Sequence, residues 1–213
     1  MTLKAKICGV SSPEAVTTAL EGGAGWLGFV FFPASPRNIA VEAAARLAQP
    51  VRNRAKVVAL LVDPTDAHVD AVVRGLAPDL FQLHGSESPS RTREIAARAG
   101  VGIIKALPVA EASDLAAARG YEGLVEHLMF DAKPAKDAAL PGGVGRAFDW
   151  SLMAGQRFAR PWFLAGGLDP WNVVEAAQVS GAPLVDISSG VERGRGLKDP
   201  ALITAFLDAV RRA

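Results

Sequence analysis

The chain of 213 residues holds a single cysteine, Cys8. No intrachain disulfide can form, so the fold needs no oxidising compartment. Charge of either sign is barely in excess: 23 Lys and Arg stand against 22 Asp and Glu, a net charge of +1. Such a balance leaves no electrostatic footprint for nucleic acid or for an anionic membrane surface. No apolar run approaches the roughly 20 residues that a membrane helix needs. The first residues carry no apolar signal segment. No group of His, Cys and Asp has the spacing of metal ligands, which argues against a metal site. Internal repeats, low-complexity tracts and linkers are also missing. What remains is a soluble, cytoplasmic, globular protein, read as one domain over residues 1–213.

What is present is apolar: half of the residues are hydrophobic, ample for a large core. They fall into short continuous runs closed by glycine or polar turns, the pattern of buried strands. The first run, Lys4-Ala5-Lys6-Ile7-Cys8-Gly9-Val10, ends in a turn. Further strands are expected over 26–32, 56–62, 80–85, 102–107, 127–131, 162–164 and 184–187. Between them lie helical stretches over 15–20, 41–47, 66–76, 90–99, 110–119, 150–154, 170–179 and 200–211. Several open on a Ser, Thr or Asp cap or a proline, as at Ser11-Ser12-Pro13-Glu14 and Asp63-Pro64-Thr65-Asp66. Strands covered on both faces read as continuous apolar runs, and strict alternation with helices implies parallel pairing. Eight such units close into a (β/α)8 TIM barrel. An open doubly wound sheet is the rival, and the lack of a domain break favours closure.

Chemistry in such a barrel gathers at the C-terminal ends of the strands. The residues there are Cys8 after the first strand, Arg37 after the second, His84 after the fourth and Asp131 after the sixth. Gly166-Gly167 follow the seventh strand; Asp186 with Ser188-Ser189-Gly190 closes the eighth. Glycine-rich turns in the last two positions expose backbone N–H groups where a phosphate commonly binds. Glycines also serve simply to make tight turns. Arg37 offers a fork to a carboxylate or phosphate, or is a solvated surface arginine. Asp131 suits a general acid or base, or else a cap or salt bridge, and Asp186 divides the same way. His84 is an acid, a ligand, a positioning group or a structural turn histidine. Cys8 is a small apolar plug or a reactive thiol.

Taken in order, several segments resemble the phosphoribosylanthranilate isomerase family. They are Lys6-Ile7-Cys8-Gly9, Phe32 with Ser35-Pro36-Arg37, Gln82-Leu83-His84-Gly85, Asp131, and Gly142-Gly143 through Phe148-Asp149-Trp150. Leu164-Ala165-Gly166-Gly167-Leu168 and Asp186-Ile187-Ser188-Ser189-Gly190-Val191-Glu192, with Gly196, Lys198 and Asp199, complete the set. Each is weak alone, but the ordered set spans nearly the whole chain. The departures are the His127-Leu128-Met129-Phe130 lead-in to Asp131 and a long loop over 133–147.

The resemblance implies an Amadori rearrangement of N-(5-phosphoribosyl)anthranilate to a 1-deoxyribulose 5-phosphate product in tryptophan biosynthesis, with no cofactor. It implies Cys8 as general base, Asp131 as general acid and Arg37 as the contact to the anthranilate carboxylate. His84 and Asp186 join the substrate contacts; Gly166, Gly167, Ser188, Ser189 and Gly190 form the phosphate site. The partner is then a small phosphosugar–anthranilate molecule, met by a monomer or homodimer, with no nucleic acid and no membrane involved.

The chemistry agrees. A carboxylic acid can protonate the ribose ring oxygen, and a thiolate can remove the C2 hydrogen that the resulting iminium acidifies. A thiol beside positive charge is expected to have a lowered pKa. The 133–147 loop, with its glycines and prolines, is expected to close over substrate. Two other readings stand beside this one. The sister sugar isomerase of histidine biosynthesis runs the same rearrangement from a twofold-repeated barrel with two aspartates; Cys8 and the absence of a half-repeat argue against it. A non-catalytic phosphosugar-binding barrel would keep the glycine loops and have no need of Cys8 or Asp131.

Overall fold

A computed structural model describes residues 2–133 and 147–213. Most of the loop expected to act as a lid, residues 134–146, lies outside the described residues. Eight strands carry the fold: β1 (Lys4–Cys8), β2 (Trp26–Val30), β3 (Lys56–Leu61), β4 (Leu80–Leu83), β5 (Gly102–Val109), β6 (His127–Ala132), β7 (Trp162–Leu164) and β8 (Leu184–Ile187). Each pairs in parallel with the next, and β1 returns to β8 with Lys6 level with Asp186, closing the barrel. Closure leaves no strand edge open for aggregation.

Side chains of successive strand residues point to opposite faces. One parity turns outward: Ile7, Leu27, Phe29, Phe81, Leu83, Phe130 and Val185 pack under the helices in one continuous core. The other turns inward: Val58, Leu80, Ile104, Met129, Phe163 and Leu184 fill the barrel. Full burial of a Phe, Leu or Ile contributes about 1.5–3 kcal/mol each, so both layers are needed to offset chain entropy.

Six α-helices cover the outside among the described residues: α1 (Pro13–Glu21), α2 (Val41–Ala48), α3 (Asp66–Leu76), α4 (Pro89–Ala99), α5 (Val173–Ser180) and α6 (Pro200–Arg212). Their starts follow side-chain chemistry. Ser12, Thr65, Ser88 and Asp199 each accept a first-turn N–H, and prolines occupy the first turn of α1, α4 and α6. Losing one such cap costs about 1 kcal/mol.

Two expected helices take another form. Ala112–Gly120 and Trp150–Met153 are 3₁₀ segments. In the first, the buried residues are Leu115 and Ala118, three apart. A 3₁₀ turn aligns residues at that spacing, and the segment has no wider apolar stripe to reward an α-helix. The chain also adds a feature that the sequence pattern does not announce: a hairpin of β9 (Glu192–Gly194) and β10 (Leu197–Lys198) after β8. At its turn Gly196 has φ +80°, and a Cβ there would stand 2.6 Å from the Pro36 carbonyl oxygen. Glycine thus lets the hairpin lie against the loop after β2, which brings Glu192 to Arg37.

Candidate active site

Lys6 and Cys8 are two apart in β1 and share its inward face. Lys6 is fully buried, at 0 % exposure. Its Nζ donates to Asp186 Oδ1 at 2.7 Å across the β1–β8 seam. On the other side, Gly28 of β2 lies level with Cys8. A Cβ at Gly28 would stand 3.1 Å from both Cys8 Sγ and Lys6 Nζ. Any side chain there would crowd both the thiol and the ammonium.

Burial pushes the Cys8 thiol above its ordinary value; Lys6 pulls it down, Asp186 pushes it up and Lys198 pulls it down. The net direction is upward, against the lowered value expected from the sequence. Desolvating a thiolate outweighs the nearby ammonium, so the free protein holds a protonated thiol near neutral pH. For Lys6, burial acts downward, yet Asp186 and the thiol together leave it above the usual lysine value.

A second group surrounds Arg37, which is buried rather than a surface residue. Its Nε donates to Glu192 Oε1 at 2.6 Å and its Nη2 to Oε2 at 2.9 Å, a bidentate pair. The arginine stem crosses Gly9, where φ is +76° and a Cβ would stand 2.7 Å from Arg37 Cδ. Glu192 also accepts from Lys198 Nζ at 2.8 Å and from the Gly196 N–H at 3.0 Å. Burial pushes Glu192 up, but the Arg37 hydrogen bond and Lys198 hold its carboxyl below the ordinary value. Burial keeps Lys198 below the ordinary lysine value, with Glu192 opposing. Lys198 donates as well to the Ser188 carbonyl at 2.8 Å and to its Oγ at 3.2 Å. The Ser188 hydroxyl in turn donates to the Cys8 carbonyl at 3.1 Å. The loops after β1, β2 and β8 are therefore one hydrogen-bonded body.

Across the mouth, Asp131 on β6 is buried and carries two bonds. Its Oδ2 meets His84 Nε2 at 3.1 Å, and its Oδ1 accepts the Ala132 N–H at 2.8 Å. His84 Nδ1 faces the Gln82 amide nitrogen at 3.0 Å. An amide donor there makes Nδ1 the acceptor, which puts the imidazole proton on Nε2, towards Asp131. Gly166 has φ +82°, and a Cβ on it would stand 2.7 Å from Asp131 Oδ1. The first glycine loop thus abuts the acid. At Gly190 a Cβ would strike the Leu168 carbonyl oxygen, so the loops after β7 and β8 touch there. Ser188 is committed to Cys8 and Lys198, and the backbone N–H groups of Ser189 and Gly190 begin a short 3₁₀ turn.

Among the described residues, no group of three or more His, Cys, Asp or Glu could hold a metal ion, and no helix is long and apolar enough to cross a membrane. A separate groove of about 430 Å³ opens between α1 and α2, lined in part by Val16, Ile39, Ala43, Arg46 and Leu47. Arg46 is the charged side chain in its lining.

The residues expected at the strand ends fall on this side of the barrel: Cys8 near the Lys6–Asp186 pair, Arg37 with the β8 hairpin, His84 with Asp131, and the Gly166-Gly167 and Ser188-Ser189-Gly190 loops after β7 and β8. Sequence reasoning missed Lys6, Gln82, Glu192 and Lys198 as members of these groups. The parity of Lys6 with Cys8 was a usable signal, since a lysine inside a buried strand needs a partner.

Comparison with known proteins follows the same line. Residues 5–209 match the family model described as N-(5'phosphoribosyl)anthranilate (PRA) isomerase. The chain is 62% identical over 210 residues to an N-(5'-phosphoribosyl)anthranilate isomerase of Caulobacter vibrioides, covering 98% of this chain and 96% of the relative. It is 50% identical over 215 residues to that of Parvibaculum lavamentivorans, covering all of both. Among solved structures, phosphoribosyl anthranilate isomerase from Thermotoga maritima superposes with a TM-score of 0.88 at 32% identity, covering 99% of this chain and 100% of that one. An isomerase of this kind in complex with reduced 1-(o-carboxyphenylamino)-1-deoxyribulose 5-phosphate gives 0.85 at 32% identity, with the same coverage.

Proposed function

The chain belongs to the N-(5'-phosphoribosyl)anthranilate isomerase family and is a phosphoribosylanthranilate isomerase of tryptophan biosynthesis, and from that premise we propose how its own residues carry the reaction. Asp131 is the general acid: its proton goes to the ribose ring oxygen, the C1–O bond breaks, and the anilinic nitrogen's electron pair forms the C1=N iminium. Cys8, as thiolate, takes the C2 proton. The C2–H electron pair becomes the C1=C2 bond while the C1=N pair returns to nitrogen. The enolamine then tautomerises to the ketone. Each proton transfer by a positioned group is worth about 10²–10⁴-fold.

Arg37 meets the anthranilate carboxylate, with Glu192 fixing the plane of its guanidinium. The phosphate is held by the loops of Gly166-Gly167 and Ser189-Gly190. The Ser188 hydroxyl serves those loops from behind, through Lys198 and the Cys8 carbonyl. His84 orients Asp131, and Asp186 acts through Lys6. The reading includes a dissolved phosphosugar substrate and a cytoplasmic monomer or homodimer.

The observation that carries this reading is the separation of duties at the mouth. A thiol on β1 and a carboxyl on β6 each sit beside a partner of their own, His84 for Asp131 and Lys6 for Cys8. The test is turnover of phosphoribosylanthranilate by the purified chain, followed as loss of anthranilate fluorescence. Turnover that Cys8→Ser and Asp131→Asn each abolish supports the assignment. Turnover by the native chain that both variants retain would move the acid and base elsewhere.

A further inference from the structure

Lys6 is among the largest fully buried side chains of the described residues, and the mechanism above gives it no direct task. An ammonium without water is costly unless it is paired and hydrogen-bonded. Asp186 meets that need at 2.7 Å, from the neighbouring strand and at the same level. A pair of this kind could be replaced by apolar side chains, as other inward positions of the barrel are filled by Val58, Ile104 and Phe163. The position next to Cys8 is what distinguishes it.

We propose that Lys6 is the charge partner that allows Cys8 to act as the base, and that Asp186 fixes the lysine in place and limits its pull. Lys6 is then a positioning residue for the isomerisation, and the proposal rests on Cys8 being the base.

The groups that face the thiol are Lys6 on its own strand, Asp186 on β8 and Lys198 on β10. Two ammonium groups against one carboxylate leave one positive charge in excess. A thiolate neutralises that excess; a thiol does not. Arg37 and Glu192, the next groups out, cancel each other. Burial opposes ionisation, so the thiol rests protonated. Its ionised form is nevertheless the one that the surrounding charge favours. The iminium formed by ring opening adds positive charge beside it at the step where the base is needed. Gly28 supports this arrangement, because a Cβ in its place would press on Sγ and Nζ alike.

The single cysteine makes the test clean: thiolate absorbance in the ultraviolet reports Cys8 and no other thiol. The experiment titrates that absorbance in the native protein and in Lys6→Met, Lys6→Arg, Asp186→Asn and the double variant Lys6→Met/Asp186→Asn. Losing the cation should raise the midpoint by roughly one pH unit or more; losing the carboxylate should lower it by a similar amount. Lys6→Arg should stay near the native midpoint, and the acid limb of the kcat/KM profile should move with the thiol in each active variant. The double variant leaves no lone buried charge, so it covers the case in which Lys6→Met does not fold. Its midpoint should fall above that of Asp186→Asn. A lysine that served only to neutralise Asp186 would destabilise the fold when changed but would not move the thiol in opposite directions. Equal midpoints in Lys6→Met, or in the double variant, and in Asp186→Asn would overturn the proposal. These titrations are independent of turnover, so they fail or succeed separately from Cys8→Ser, which tests whether Cys8 is the base.

Discussion

At the N-terminal ends of the strands, Trp26, His127 and Phe163 stack against one another. Trp26 meets Phe163 edge-on at 5.0 Å and His127 at 5.8 Å, and His127 lies 5.3 Å from Phe163. At the C-terminal ends, the interior holds Asp186, Arg37, Glu192, Lys198, Asp131 and His84 instead. The change happens within single strands. On β6 the inward face runs from His127 through Met129 to Asp131 in four residues. The closed end stabilises by contact area: burial keeps His127 below the ordinary histidine value, and among the described residues its Nδ1 has no hydrogen-bond partner. The open end stabilises less per residue, because paired charges roughly break even after desolvation. What it gains is a set of groups aimed at a common mouth. The comparison teaches that in this barrel stability and chemistry are separated along the strand axis, by a few residues of one parity.

Substitutions at the two ends should therefore fail in different ways. The largest effect is expected at the closed end. Phe163→Ala removes a fully buried ring from the aromatic stack and should cost about 3–5 kcal/mol of stability. Below the new unfolding temperature, kcat should remain close to native. Chemical denaturation with parallel kinetics checks both; a large loss of kcat in a stable variant would break the division.

Arg37→Ala comes next, at the open end. It leaves Glu192 with Lys198 and the Gly196 N–H and, on the assignment proposed above, the substrate carboxylate without its partner. Removing one member of a buried charge pair costs about 2–5 kcal/mol, which should appear in kcat/KM, chiefly as a raised KM. The measurement is initial rate against substrate concentration. An unchanged kcat/KM would detach Arg37 from substrate binding and leave it as a hairpin clasp.

The smallest effect concerns pH at the closed end. The folded state keeps His127 neutral, while the unfolded chain takes up a proton below its ordinary value of 6.5. The unfolded state then binds more protons, so stability falls as pH falls through that range. His127→Phe should flatten the fall, by about 2–4 °C in Tm for each kcal/mol recovered in a chain of this length. Melting at pH 7 and pH 5 checks it. Equal pH dependence in both proteins would remove His127 from the acid response, while kcat should not distinguish them.

The same axial division explains what could be read from the sequence. Strands buried on both faces betray themselves as apolar runs, and the glycines that follow mark their C-terminal ends. Cys8, His84, Asp131 and Asp186 were legible because a strand end is a position along one segment. Lys6–Asp186 and Arg37–Glu192 were not, because they join residues 180 and 155 apart. Their meeting depends on barrel closure and on a hairpin held by Gly196 against Pro36. The direction of the Cys8 shift was misread for the same cause. Charge near the thiol could be guessed from β1, but the depth of its burial is a property of eight strands together. The 3₁₀ segment at Ala112–Gly120 escaped because an alanine-rich stretch suits an α-helix by propensity, and only tertiary contacts at Leu115 and Ala118 select the tighter winding.

The central claim is that the open end works through Cys8 and Asp131 as base and acid. Serine is nearly the size of cysteine, but its hydroxyl is far less acidic than a thiol and gives up its proton far less readily beside Lys6, and asparagine keeps the shape of aspartate without a proton to give. The measurement is kcat of Cys8→Ser, of Asp131→Asn and of the two combined, each shown by circular dichroism to be folded. Each single change should lower kcat by at least about 10²-fold, and the double variant should lose less than the product of the two, since both serve one reaction sequence. A folded Cys8→Ser enzyme with near-native kcat would contradict the account and return Cys8 to a packing role.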